Sequence, residues 1–247
     1  MNPAISSDTS NSAWKNLYRV GGAAALAILV IYLVELVVVI TVGLPPTTVE
    51  GYFAMFQNNR SLGLLRSFSL DIIATFLHGP LFIALFFALK RNRKTYSALV
   101  IAMILAFIEM AVYFTSNTVF SLLYLSDQYA TAASDAQRSM FLTAGQTMLA
   151  INNGTGLFMA FTLYAVAGLI ISVIMLQSNT FSKVTAYAGI IGTVLQLGPP
   201  PGYGPAIFFK IDPILIGIGG VFLMVWLFLI AKALFQLGSA ALKEEAE

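Results

Sequence analysis

The sequence predicts an all-α, polytopic transmembrane bundle of six spans, and three observations carry that reading. Of 247 residues, 58% are hydrophobic and 10% are charged, against roughly 45–50% and about 25% in soluble domains. The apolar residues gather in stretches long enough to cross a bilayer, which takes about 20 residues of helix. Lysine and arginine fall mainly in alternate connections, as they do when basic loops stay on the cytoplasmic side.

The first span is expected at Val20–Val42, after a polar tail over residues 1–18 that lacks the basic region, short apolar run and small-residue cleavage site of a signal peptide. Pro45-Pro46 ends it. Thr47 or Thr48 is then placed to cap a short amphipathic helix whose apolar face is Val49, Phe53, Met55 and Phe56. The second span is Phe68–Leu89, interrupted by Gly79-Pro80; the proline frees the carbonyl of Phe76 one turn earlier. The third is Tyr96–Phe120. Ser134 next offers an N-cap, followed by Asp135 and by Met140, Phe141, Ala144, Met148 and Ile151 at helical spacing, so a helix is expected to run toward the fourth span and bend at Asn152-Asn153-Gly154. The fourth span is Leu157–Leu176. The fifth, Val184–Leu197, is short, and Gly198 to Pro205 after it reads as a stiff connector in preference to a ligand cap. The sixth is Pro213–Ala233. The transmembrane domain as a whole covers residues 19–238, with a polar tail over 239–247.

With the N-terminus inside, nine of the thirteen basic residues fall on the inner side, four of them within Lys90–Lys94. Both termini are therefore expected in the cytoplasm, the protein in the cell membrane, and the two amphipathic helices on the outer face. Asn59-Arg60-Ser61 and Asn153-Gly154-Thr155 match the glycosylation pattern, a short one that recurs by chance. Gly189, Gly192, Gly217, Gly219 and Gly220 read as sites of close helix approach, and Trp226 as packing.

The residue counts exclude several chemistries. There is no cysteine and one histidine, His78, so thiolate metal sites, cysteine nucleophiles and two-histidine zinc sites are absent. No metal or other cofactor is expected. Net charge is +2 with no long basic tract, which leaves no footprint for nucleic acid.

Ionisable side chains inside spans are costly unless they face protein or water, which makes them functional candidates. Four qualify: Glu35, Asp71, His78 and Glu109. At about 1.5 Å per residue, Glu35, His78 and Glu109 lie roughly 17–22 Å from the inner end of their spans, with Asp71 nearer the outer interface. Asp71, Thr75 and His78 share one helix face; Glu109, Tyr113, Ser116 and Asn117 share another. The candidate intramembrane polar cluster is thus Glu35, Asp71, His78, Glu109, Tyr113 and Asn117. Each also has a plainer reading: Glu35 as packing glue, Asp71 as a helix N-terminal carboxylate, His78 as a satisfied core histidine.

The stretches Val112-Tyr-Phe-Thr-Ser-Asn117, Leu125-Ser-Asp-Gln-Tyr-Ala130, Ala144-Gly-Gln-Thr-Met-Leu-Ala150, Asn153-Gly-Thr155, Ala167-Gly-Leu-Ile-Ile-Ser172 and Phe181-Ser-Lys-Val-Thr-Ala-Tyr187 resemble the prokaryotic integral membrane proteins grouped as domain-of-unknown-function family 4386. Tyr52-Phe-Ala-Met-Phe56, Leu62-Gly-Leu-Leu65 and Leu234-Phe-Gln-Leu-Gly238 resemble them too. The resemblance implies a six-span membrane protein and carries no catalytic residues. The expected function is a non-catalytic module binding a lipid, a small ligand or a partner within the bilayer. A small carrier using the Glu/His cluster as a proton or cation relay is the alternative. A lipid-modifying enzyme is weaker, since no nucleophile–base pair is legible.

Overall fold

The computed structural model describes residues 5–90, 95–197 and 213–243. The connector over 198–212, residues 91–94 and the ends of both tails lie outside them, and with them the expectation about the proline-rich turn. The described residues are all helical or in helix connections, with no strand among them. The helices are α1 Ile5–Val42, α2 Val49–Asn58, α3 Arg60–Arg66, α4 Asp71–Leu89, α5 Tyr96–Ser116, α6 Val119–Ala130, α7 Asp135–Asn152, α8 Thr155–Leu176, α9 Lys183–Leu195 and α10 Pro213–Lys243.

Among the described residues five helical segments are long and apolar enough to cross a membrane: Trp14–Val42, Asp71–Leu89, Tyr96–Ala130, Asp135–Leu176 and Ile214–Ser239. This is the composition of a multi-pass membrane protein. Lys183–Leu195 is apolar but shorter. It nevertheless takes a full place in the packing, because α1, α4, α5, α8, α9 and α10 form a closed ring in which each touches the next and α10 returns to α1.

The ring is built as bilayer helices require. Small residues meet inside it: Ala24, Ala25, Ala84, Ala102, Ala167 and Ala186 are almost fully buried. Large apolar residues face out, among them Val30, Val37 and Ile40 of α1, Ile104 and Phe107 of α5, and Val221 and Phe228 of α10. Lipid tails are as apolar as leucine, so close packing of backbones, rather than burial of oil, holds such helices together. Gly189 and Gly192 show this directly. A methyl group at Gly189 would meet the Ser172 hydroxyl and lie 2.5 Å from Trp226 Nε1, and one at Gly192 would lie 2.9 Å from the Leu223 backbone nitrogen. Trp226 is fully buried between α8, α9 and α10, in keeping with its reading as packing.

Four short helices form a cap over one end of the ring, the end where α1 joins α4 and α5 joins α8. The Thr48 side chain accepts from the Gly51 N–H and starts α2; the Ser134 side chain accepts from the Gln137 N–H and starts α7. Both are the capping residues expected. The helix α7 ends at Asn152, and the chain turns through Asn153 and Gly154 into α8, again as expected.

Several elements differ from the sequence reading: α3 is an additional helix, and the helix of the second span starts at Asp71, after a turn at 67–70. The first helix begins at Ile5, inside what reads as a polar tail. The helix of the third span does not run unbroken to Phe120. It stops at Ser116, because Asn117 adopts an extended backbone and its Oδ1 accepts from the Val119 N–H, 3.1 Å away, at the start of α6. Residues Val119, Leu122 and Leu123 of α6 then pack with Tyr52, Met55 and Phe56 of α2 and Leu149 of α7 into a separate small core. Gln57 Nε2 donates to the carbonyl and hydroxyl oxygens of Ser126, each at 2.9 Å, and the Ser126 hydroxyl donates to Phe53 O at 3.2 Å, locking α2 to α6. At the opposite end of the ring Lys90 Nζ lies over the rings of Trp14 and Phe87 at 4.5 and 4.1 Å.

Candidate functional site

At the cap end the ring does not close fully. It leaves a cavity of about 340 Å3 between α1, α4, α5, α8, α9 and α10. Helical spacing explains the α1 wall: Tyr32, Glu35, Leu36 and Val39 recur at three- and four-residue intervals and so share a face. On the far side, α5 contributes Tyr113 and its cap residue Asn117, and α8 contributes Leu157, Phe161 and Tyr164. Leu223 and Met224 of α10 complete the apolar wall.

The mouth is held by polar groups already engaged. Asn117 Nδ2 donates to the Tyr113 hydroxyl at 3.0 Å. Asn152 Oδ1 accepts from the Thr118 N–H at 3.2 Å, and Gln196 Nε2 donates to Ile216 O at 3.1 Å, tying α9 to α10. The entry to α4 is held by a bend at Phe68, which lines the cavity with φ 56°, the left-handed region that large side chains avoid. Arg66, just before the bend, donates to Gly43 O at 3.1 Å and to Leu44 O at 2.6 and 2.9 Å, so the two chain segments at the top of α1 and α4 are stapled.

The six sequence candidates separate into two groups. Glu35, Asp71, Tyr113 and Asn117 line the cavity. Asp71 is the first residue of α4, as expected of a helix N-terminal carboxylate, and its side chain lies beside that of Glu35. Glu35 is 6% exposed, and its Oε1 is buried with no hydrogen-bond partner. His78 and Glu109 sit two turns further from the cap and do not line the cavity. They are 4% and 3% exposed, and His78 Nδ1 lies 3.3 Å from Glu109 Oε2. The other ring nitrogen, Nε2, is buried without a partner. The single layer of Glu35, His78 and Glu109 read from depth is thus two pairs, Glu35–Asp71 above and His78–Glu109 below.

Tyr164 connects them. Its ring lines the cavity and stacks on His78 with centroids 4.5 Å apart and planes 22° from parallel. Phe82 meets both rings edge-on at 6.2 Å. Tyr164, Tyr32, Phe68, Asn152 and Gln196 are site residues the sequence reading did not single out. Tyr32 had a signal, since it stands one turn before Glu35 on the same face; Tyr164 sits in an apolar run with nothing local to mark it. Among the described residues no group of three or more histidine, aspartate or glutamate side chains is placed to hold a metal ion. Comparison of the chain with protein-family profiles, with curated proteins and with solved structures finds no match.

Proposed function

We propose that the chain is a six-span protein of the cell membrane that binds a small amphiphilic molecule in the cavity at its capped end, without catalysing a reaction on it. The cavity carries this reading. Its volume falls in the range of ligand pockets, roughly 300–1,000 Å3, and its lining combines ionisable and polar groups, Glu35, Asp71 and Tyr32 among them, with apolar ones such as Leu157, Phe161, Leu223 and Met224. The place of α9 in the ring supports six spans, and the excess of basic residues on the uncapped side supports cytoplasmic termini. The resemblance to family 4386, and with it a prokaryotic origin, belongs to the same proposal.

Gly220 provides the test. It lines the cavity, and a Cβ built there meets only Gln196 Nε2 at 3.7 Å, an ordinary contact. Gly220→Phe should therefore fill the cavity with little cost to packing. Three small aromatic probes, phenethyl alcohol, phenethylammonium and hydrocinnamate, are titrated into protein in lipid nanodiscs. Saturable binding of at least one by the wild type, lost in Gly220→Phe, is the expected result. No saturable binding of any of the three overturns the reading.

One observation favours a carrier as the second reading: Tyr164 links the cavity to a buried acid–base pair, the arrangement a proton relay needs. Proton flux in liposomes across about pH 5 to 8 separates the two. A relay requires Glu109→Gln to flatten the pH profile while leaving the protein folded; identical profiles for a conducting wild type and the variant remove Glu109 from transport.

A further inference from the structure

The cavity's occupant has a chemistry that its lining specifies, and the inference rests on the ligand-binding reading above. We propose that the pocket takes an organic cation, a protonated amine with an aromatic or alkyl body, whose ammonium group sits between Glu35 and Asp71.

The carboxyl pair gives the sign of the charge. Glu35 and Asp71 are both on the wall, no lysine or arginine is among the described residues that line it, and the polar neutral groups at the mouth are already bonded to protein. Two carboxyls on one wall with no basic side chain beside them favour a positive charge in the cavity, since a carboxylate in surroundings of low dielectric calls for one. The Glu35 carboxyl gives the position. Glu35 lines the cavity, and its Oε1 is buried with no hydrogen-bond partner among the described residues. A buried acceptor left unmade costs about 1–3 kcal/mol, and a donor bound beside this carboxyl lowers that cost. An ammonium group brings three donors and no acceptor, which suits carboxylate oxygens.

The remaining lining distinguishes an organic cation from a bare metal ion. A hard cation such as calcium takes six to eight oxygen ligands, and the cavity offers two carboxyls and scattered amides among aromatic rings. Those rings fit an organic cation instead. Tyr32, Tyr113, Phe161 and Tyr164 line the same cavity, and an ammonium over an aromatic face gains cation–π attraction. Leu36, Val39, Leu157 and Leu223 offer apolar contact to the rest of the molecule.

The experiment uses the same nanodisc titration with the three probes, which share a phenethyl-type body and differ in charge. Phenethylammonium should bind at least tenfold more tightly than phenethyl alcohol, and hydrocinnamate should be weakest. The double variant Glu35→Gln with Asp71→Asn should weaken phenethylammonium at least tenfold while leaving phenethyl alcohol within about twofold, the alcohol reporting that the variant is folded with its cavity open. If the alcohol or hydrocinnamate binds as tightly as the amine, with binding lost in Gly220→Phe, the pocket stands and the cation assignment falls. Undiminished amine binding by the double carboxyl variant overturns it as well. Absence of binding by all three probes removes the assignment together with the pocket reading.

Discussion

The pair His78–Glu109 makes the most exacting prediction about what holds the ring together. Replacing Glu109 with leucine keeps the volume and removes the acceptor. His78 Nδ1 then loses its partner while Nε2 already has none, so the imidazole is left with both nitrogens buried and unpaired. At a separation of 3.3 Å a fully charged pair attracts by about 5 kcal/mol at an effective dielectric of about 20, and breaking a buried pair from one side costs roughly 3–5 kcal/mol. A neutral hydrogen bond would cost about 1–3 kcal/mol. Either single replacement, Glu109→Leu or His78→Leu, should therefore lose about 3 kcal/mol. The double replacement should not lose twice that, because attraction and desolvation nearly cancel when a buried pair is exchanged for apolar groups.

The assay is equilibrium unfolding in mixed micelles, followed by tryptophan fluorescence, since Trp226 is fully buried between α8, α9 and α10. A double-mutant cycle should give a coupling of at least about 1.5 kcal/mol, well above the roughly 0.3–0.5 kcal/mol scatter of independent sites. Additive singles would refute the reasoning, for they would mean that the two side chains are solvated separately in the folded protein. Glu109→Gln separates hydrogen bonding from charge: its amide oxygen still accepts from the imidazole, so a loss under about 1 kcal/mol is expected if the bond matters more than the charge.

Three further outcomes follow from the packing and the cap. Gly189→Ala should destabilise by about 1–3 kcal/mol, an overpacking cost, because Ser172 and Trp226 leave no room for a methyl group; the same assay checks it, and a neutral effect would refute close contact of α8, α9 and α10. Burial in the cap, opposed by Arg66, pushes the Tyr52 hydroxyl from 10.0 up to about 12. Since the folded value is the higher one, this group's stabilisation of the cap is complete below pH 10.0 and is lost as pH rises toward 12; ultraviolet titration of Tyr52→Phe against the wild type should lack that late phenolate step. Single cysteines, placed in a chain that has none, should label from the cytoplasmic side near Arg91 and from the other side near Asp135; the reverse pattern would overturn the orientation.

The parts of the fold that were legible in the sequence are those fixed by short-range rules. Runs of apolar residues mark the long helices, and Thr48 and Ser134 announce helix starts because a side-chain oxygen three residues upstream is the cheapest partner for a free N–H. Asn153-Gly154 announces a break for the same kind of local reason. The helix α6 escaped because its signal points two ways. Val119, Leu122 and Leu123 have helical spacing, yet following a long apolar run they read as its continuation. Only the position of α2, about seventy residues earlier in the chain, makes them the core of a cap.

The candidate site divides along the same line. Which residues matter could be read from cost alone, since carboxyls and an imidazole in apolar helices demand partners wherever they fall. Which partner each one takes is decided by the ring order, and the ring order is decided by contacts such as Gly21 against Ala84 and Gly192 against Leu223, between segments far apart in sequence. Depth along a span placed Glu35 with Glu109, but depth is one coordinate. Rotation about the helix axis is the other. Asp71, at the first turn of α4, meets Glu35 across the α1–α4 contact, while His78, two turns on, meets Glu109 across the α4–α5 contact. These two polar contacts occur at different levels: the upper one lines the cavity, and the Tyr164 ring, which lines it too, lies over His78 of the lower one.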